Sequence, residues 1–232
     1  MMKYPSKCSL KICFSLGLLL NVAVVQAITP VTIKKETPDY ILDIKYPQGF
    51  QSADVNSVIK NFIEKTQKQF MEELAEDANT PADAPGKTGL NITYSLPYKS
   101  KNALSVRFNV SIYHRGAAHP SNTVVVENFV AGHPVKLADL FISGANYLKP
   151  IAAFCNKAIT AKKISDEKWI NEGTKPVEKN YQVWSFNDKG IDIIFNNYQV
   201  AAYVYGEQTV AIPLATLSSM IKPKLSETVW SH

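Results

Sequence analysis

Cysteine is scarce in this chain. The 232 residues include three, and with Cys8 and Cys13 close to the start, only Cys155 belongs to the body of the protein. One cysteine cannot form an internal disulfide, so the body must be held by its apolar core. Cys155 lies in an apolar helical pattern, which reads as a buried, inert thiol. Charge of one sign is also missing. The 25 Lys and Arg against 20 Asp and Glu leave a formal +5, with no dense basic run, which argues against a nucleic-acid partner. No Gly-x-Ser-x-Gly elbow and no phosphate-cradling glycine loop occurs, and spacing alone identifies no carboxylate pair for glycoside chemistry. No catalytic residue, cofactor or metal centre is therefore expected. Nor is there an unbroken apolar run of the roughly 20 residues that a permanent membrane anchor needs.

What is present begins with a leader. Lys3, Lys7 and Lys11 precede an apolar run from Ile12 to Val25, interrupted by Ser15, Gly17 and Asn21, and the run closes on Val25-Gln26-Ala27. A basic head, a short apolar centre and a small-residue exit form a secretory signal, with cleavage expected after Ala27. Removing 27 of the 232 residues leaves 205, enough for a real core. Removing the three leader lysines from +5 leaves about +2. The expected location is periplasmic or secreted, with no membrane association after cleavage.

Residues 28–39 are polar and proline-flanked, and read as an exposed lead-in. Tyr40, Leu42, Ile44 and Tyr46 alternate with other side chains, which predicts a strand ending at a Pro47-Gln-Gly49 turn. Val55, Val58, Ile59, Phe62, Ile63, Phe70 and Leu74 recur at helical spacing after Ser52, a residue suited to cap the helix. Residues 77–89 have no apolar period and predict a loop. Leu104, Val106, Phe108, Val110 and Ile112 alternate strictly with Ser105, Arg107, Asn109 and Ser111, a strand with one face toward water; residues 91–98 and 122–130 can flank it. A second helix is predicted over 147–163, with Pro150 in its first turn, and a short one around 166–172. Residues 181–186 and 191–195 predict a hairpin closed by Gly190, with Asp192 facing solvent. A further strand covers 208–212, Pro213 opens a short helix to Ile221, and 222–232 reads as a loose tail. Strands and helices in blocks predict an α+β fold, an antiparallel sheet with helices packed on one face. Residues 40–221 form a single domain in this reading, divided into a strand-helix segment (40–89) and a larger part (90–221).

Polar residues gather at Tyr113-His-Arg-Gly-Ala-Ala-His-Pro120, followed by His133 and Asp139. The spacing of His114, His119 and His133 matches none of the strong zinc signatures. Pro120 biases His119 toward an extended backbone, and a structural histidine bonded to a backbone carbonyl or to Asp139 is the expected use. Asp139 in Leu137-Ala-Asp-Leu-Phe141 most simply caps a helical turn. Tyr198, Tyr203 and Tyr205 form an aromatic group; such tyrosines serve sugar and protein contact surfaces as well as cores, the core being the commoner use. Asn91-Ile-Thr and Asn109-Val-Ser match the glycosylation sequon.

Three blocks occur in order: Gly116-Ala-Ala-His-Pro120, Leu137-Ala-Asp-Leu-Phe141, and Ile194-Phe-Asn-Asn-Tyr-Gln-Val200 with Gly206 and Val210-Ala-Ile-Pro213. Together they resemble the extracytoplasmic domain of RsiV-type anti-sigma factors and the N-terminal, non-catalytic region of PdaC-type peptidoglycan deacetylases, over about residues 40–221. The resemblance implies an α+β domain that binds rather than catalyses. Only 11 residues precede Ile12, so neither a sigma-binding segment before the apolar run nor a deacetylase domain after this one is expected. The implied partners are peptidoglycan, a lysozyme-like muramidase or another envelope protein, with Tyr113, His119, Asp139, Tyr198 and Tyr203 as ligand-contact candidates. The rival reading is a hydrolase of cell-wall glycans using His119 and Asp139 as an acid–base pair.

Overall fold

The computed structural model describes residues 1–2, 27–76, 80–81 and 83–230. Most of the leader, with Cys8 and Cys13, and parts of the 77–89 loop lie outside the described residues. No described helix is long and apolar enough to cross a membrane.

Six strands form the main sheet in the order β1-β2-β3-β4-β5-β6: β1 (Thr29–Glu36), β2 (Tyr40–Gln48), β3 (Thr88–Lys99), β4 (Ala103–Tyr113), β5 (Ser121–Val130) and β6 (His133–Pro134). The expected exposed lead-in is thus an edge strand. β1 pairs antiparallel with β2 from Thr29–Gln48 to Glu36–Ile41. Its Pro30, Lys34 and Lys35 are typical of an edge, and with only Val31 and Ile33 on one face it carries too little apolar periodicity to be recognised.

Helix α1 (Ala53–Glu76) connects β2 to β3. Ser52 Oγ accepts from Val55 N–H at 3.4 Å, as a capping residue does, and donates to the Gly132 carbonyl at 2.7 Å. Because the helix carries the chain back along the sheet, β3 runs parallel to β2, with Tyr40 opposite Thr88. The sheet is therefore mixed, with one parallel pair among antiparallel ones. Val55, Ile59, Ile63 and Phe70 of α1 are buried against Leu42, Ile44, Ile92, Val106 and Phe108 of the strands. The Phe62 ring lies 4.7 Å from that of Phe108.

The opposite face of β3-β4-β5 is divided. At one end it is covered by a second, antiparallel sheet of β7 (Trp184–Asn187), β8 (Gly190–Phe195) and β9 (Gln208–Pro213), in the order β7-β8-β9. Ser105 is fully buried there, which corrects the expectation that all its face meets water. Its Oγ accepts from Phe186 N–H at 2.9 Å and donates to Asn128 Oδ1 at 2.6 Å, while Asn128 Nδ2 donates to the Trp184 carbonyl at 2.7 Å. Farther along β4, Asn109 stays exposed, as predicted.

A second core surrounds this small sheet. Helix α2 (Leu148–Lys162) contributes Ile151, Cys155 and Ile159, and α3 (Glu167–Gly173) contributes Ile170. Tyr181 belongs to a 3-10 turn rather than to the hairpin strand; its OH bonds the Thr174 carbonyl. Asp192 is half-buried, not solvent-facing. Burial raises its carboxyl above the usual range, against the lowering effect of Asn187 Nδ2, which donates to it at 2.8 Å. Helix α4 (Leu214–Leu217) is shorter than expected, and Ile221 instead bridges to Phe141. The anticipated loose tail is helix α5 (Pro223–Trp230). It is tied down by Tyr98 OH on the Val229 carbonyl (2.6 Å) and by Trp230 Nε1 on the Asn187 carbonyl (2.9 Å). These bonds join residues 131 and 43 positions apart, so local sequence does not reveal them.

Cys155 is fully buried, and burial pushes its thiol up to about 12. Thiolate is the reactive form. Iodoacetamide at pH 8 should therefore leave the folded protein unlabelled at Cys155 and label it in denaturant; mass spectrometry of the Cys155 peptide reads the result, and rapid labelling of folded protein would contradict it.

Candidate functional site

The half of the β3-β4-β5 face left uncovered by the second sheet carries polar side chains in register. Asn91 is opposite Ser111, and Ser111 is opposite Asn122, giving a row across three strands; Asn109 lies two residues before Ser111 on β4. The row spans roughly 10 Å, two inter-strand spacings. Asn197 and Glu207 face it from the second half of the chain and close a cleft of 230 Å³. Two devices hold the walls together. Asn196 docks on the free edge of β5, its Oδ1 accepting from Val124 N–H (2.7 Å) and its Nδ2 donating to the Val124 carbonyl (3.1 Å). Arg107 donates through Nη2 to both carboxylate oxygens of Glu207 (2.5 and 2.6 Å), and through Nε and Nη2 to Asn109 Oδ1 (3.1 and 3.0 Å). Arg107 thus neutralises Glu207, the one carboxylate that lines the cleft among the described residues.

An aromatic cluster adjoins this row. Asn122 Nδ2 donates to Tyr203 OH at 2.7 Å, and Tyr203 OH donates to the Pro120 carbonyl at 3.0 Å. The His119 ring stacks on Tyr203 with centroids 4.0 Å apart, and Tyr198 lies against the other tyrosine at 5.6 Å. Tyr198 is 53% exposed and has a φ of +66°, in the left-handed region that a bulky residue adopts only at a cost. Its backbone is held there by Trp169 Nε1, which donates to the Tyr198 carbonyl at 3.0 Å. These tyrosines lie at the surface rather than in the core, the commoner use. Tyr198→Gly should leave the melting temperature unchanged or raise it by a few degrees, since glycine relieves roughly 1 kcal/mol of backbone strain; a marked fall in a thermal melt would show that the ring contacts outweigh the strain.

Of the sequence-predicted residues, the structure therefore brings together His119, Tyr198 and Tyr203. His119 bonds a backbone carbonyl as expected, with Nδ1 3.0 Å from the Pro120 oxygen; it is exposed, and Asp139 is not its partner. Asp139 caps its own helical turn, Oδ2 accepting from Lys136 N–H at 2.7 Å. No hydrogen bond joins His119 to Asp139, and neither lines the cleft. An acid–base pair must reach one substrate, so this geometry gives the hydrolase reading no support. Tyr113 bonds the Pro85 carbonyl at 3.3 Å at the end of β4, outside the aromatic cluster. His114 approaches Glu73, and His133 pairs with Asp54. Among the described residues no three His, Cys, Asp or Glu side chains converge on a metal-sized point. Sequence reasoning missed Ser111, Asn122, Asn197 and Glu207. Asn91 and Asn109 stood out only as sequons, and the outward alternation of β4 was the signal that could have led to the row.

Two family models match the chain. Residues 33–122 match the one described as Deacetylase PdaC, and residues 138–215 match DUF3298, a protein family of unknown function. The chain is 27% identical over 183 residues to the peptidoglycan-N-acetylmuramic acid deacetylase PdaC of Bacillus subtilis (strain 168). The match covers 77% of this chain and 38% of that relative's length. Two crystal structures share the fold. A DUF3298 family member from Bacteroides fragilis NCTC 9343 aligns with a TM-score of 0.60 at 19% identity, over 88% of this chain and 98% of that one. A DUF3298 family protein from Pseudomonas aeruginosa PAO1 aligns with a TM-score of 0.64 at 13% identity, over 87% and 97%. The stretch similar to PdaC thus runs from β1 to the start of β5, the stretch similar to DUF3298 holds the smaller sheet and its helices, and the cleft is lined by residues of both.

Proposed function

We propose that the protein works outside the cytoplasm as a non-catalytic binding module whose ligand is the peptidoglycan of the cell wall. The observation that carries this reading is the open cleft lined mainly by Asn, Ser and Thr residues of both matched stretches, with the exposed Tyr198 and His119 beside it. Tyrosine and histidine offer an apolar ring face and a polar tip, and the amides offer both donors and acceptors, the mixture that binding a hydroxyl-rich polymer requires. The relation to a protein named for deacetylating peptidoglycan supports both the ligand class and the extracytoplasmic location. Its enzymatic activity is not carried over, since the match spans 38% of its length.

The test is retention on purified sacculi at physiological salt, with immobilised lysozyme as a parallel arm. The protein should be retained on sacculi, and retention should fall severalfold in Tyr198→Gly while the melting temperature holds. Retention on lysozyme alone would replace the polymer by a muramidase partner, and no retention on either would refute the reading.

A further inference from the structure

We infer that the cleft reads the sugar backbone of the wall polymer, through its acetamido and hydroxyl groups, and not the peptide stems; this rests on the peptidoglycan reading above. The first argument is charge. Among the described residues, Glu207 is the only charged side chain lining the cleft, and Arg107 neutralises it through both carboxylate oxygens. A polyanion would need unpaired cations at the wall, and none lines it. A stem peptide would bring its own carboxylate and ammonium groups to a cleft with no free counter-charge. A neutral sugar brings none.

Hydrogen-bonding capacity is the second argument. Ser111 and Asn197 make no side-chain hydrogen bond among the described residues. The carboxamide oxygen of Asn109 is engaged by Arg107, which leaves both of its N–H donors unused, while Asn122 spends an N–H on Tyr203 and keeps its oxygen. The cleft thus offers unpaired donors and unpaired acceptors in one row, which suits groups that both donate and accept, as sugar hydroxyls and acetamides do.

The third argument is size and continuity. At 230 Å³ the cleft is smaller than the roughly 300–1,000 Å³ of sites that enclose a whole drug-sized ligand. It fits one residue of a longer chain. Asn122 and Asn197 lead directly from the cleft to Tyr203 and Tyr198, so a linear polymer leaving the cleft passes over the aromatic cluster. The strained backbone of Tyr198, kept in a position that glycine would fill at less cost, fits a ring held out for contact.

Calorimetric titration with a peptide-free tetramer of β-1,4-linked N-acetylglucosamine, and separately with a free stem pentapeptide, tests the inference alongside the sacculus assay. The tetramer should bind and the pentapeptide should not. The double variant Ser111→Ala/Asn197→Ala, which removes no internal hydrogen bond, should weaken tetramer binding by about tenfold or more with an unchanged melting temperature. Binding of the pentapeptide instead of the tetramer, or tetramer affinity untouched in the double variant, would overturn the inference. Retention on sacculi without tetramer binding would also overturn it while leaving the wall-binding reading in place; absence of retention on sacculi would remove both.

Discussion

Replacing Phe108 by Ala should lower the unfolding free energy by about 3–5 kcal/mol, a large share of the margin of a domain this size. Phe108 has no exposed surface; it lies on the α1 face of β4, between Val106 and Val110 on the same strand and opposite Tyr94 and Val125 on its neighbours. Phe62 packs on its ring from α1. Alanine removes the whole ring and leaves a cavity that the sheet, held by pairing on both sides of β4, cannot collapse to fill. Urea denaturation followed by circular dichroism measures the effect. A midpoint indistinguishable from wild type would mean that β4 presents its other face to the helix.

Asn128→Ala should lower stability by about 2–4 kcal/mol, through unmet hydrogen bonds rather than lost volume. Asn128 is 3% exposed and joins the two sheets: it receives the Ser105 hydroxyl and donates to the Trp184 carbonyl, while Ser105 in turn accepts the Phe186 amide. With the amide gone, the buried Trp184 carbonyl loses its donor and the Ser105 O–H loses its acceptor, while the Ser105 oxygen keeps the Phe186 amide; each lost bond costs roughly 1–3 kcal/mol. The double change Ser105→Ala/Asn128→Ala separates the network from its parts. If the two residues act as one unit, the double variant should cost much less than the sum of the singles; strict additivity in the same urea titration would show that they act independently.

These two positions mark how far the sequence could be read. Phe108 was legible because its burial follows from strict alternation, a local property that every residue from Leu104 to Ile112 repeats. Ser105 was misread for the same reason: alternation gives the face of a side chain but not what lies on that face. Only the chain 81 residues later, where Phe186 donates to it, turns this polar position into an interior one. The candidate site divides similarly. Tyr198, Tyr203 and His119 could be named from residue type, whereas Tyr113 and Asp139, selected by the same criterion, lie against Pro85 and Lys136 instead. Ser111 was marked only by the outward alternation of its strand and by its sequon, and Asn122, Asn197 and Glu207 have no local mark at all. They become a cleft because Arg107 and Glu207, 100 positions apart, meet as a salt bridge and because Asn196 caps the edge of β5.

By itself the sequence determined the α+β class, the long amphipathic helix, the central strands with their covered face, and the relation to PdaC-type proteins. Each follows from periodicity over a few residues or from short ordered blocks, information carried by near neighbours. The tertiary structure alone decided that the lead-in is an edge strand, that the tail is a docked helix, that β2 and β3 run parallel, and that one half of a sheet face stays open as a cleft. The docked tail depends on bonds between residues 43 and 131 positions apart, and the open cleft on which surface the second sheet happens to cover; no local pattern of side chains encodes a contact that only the completed chain can make.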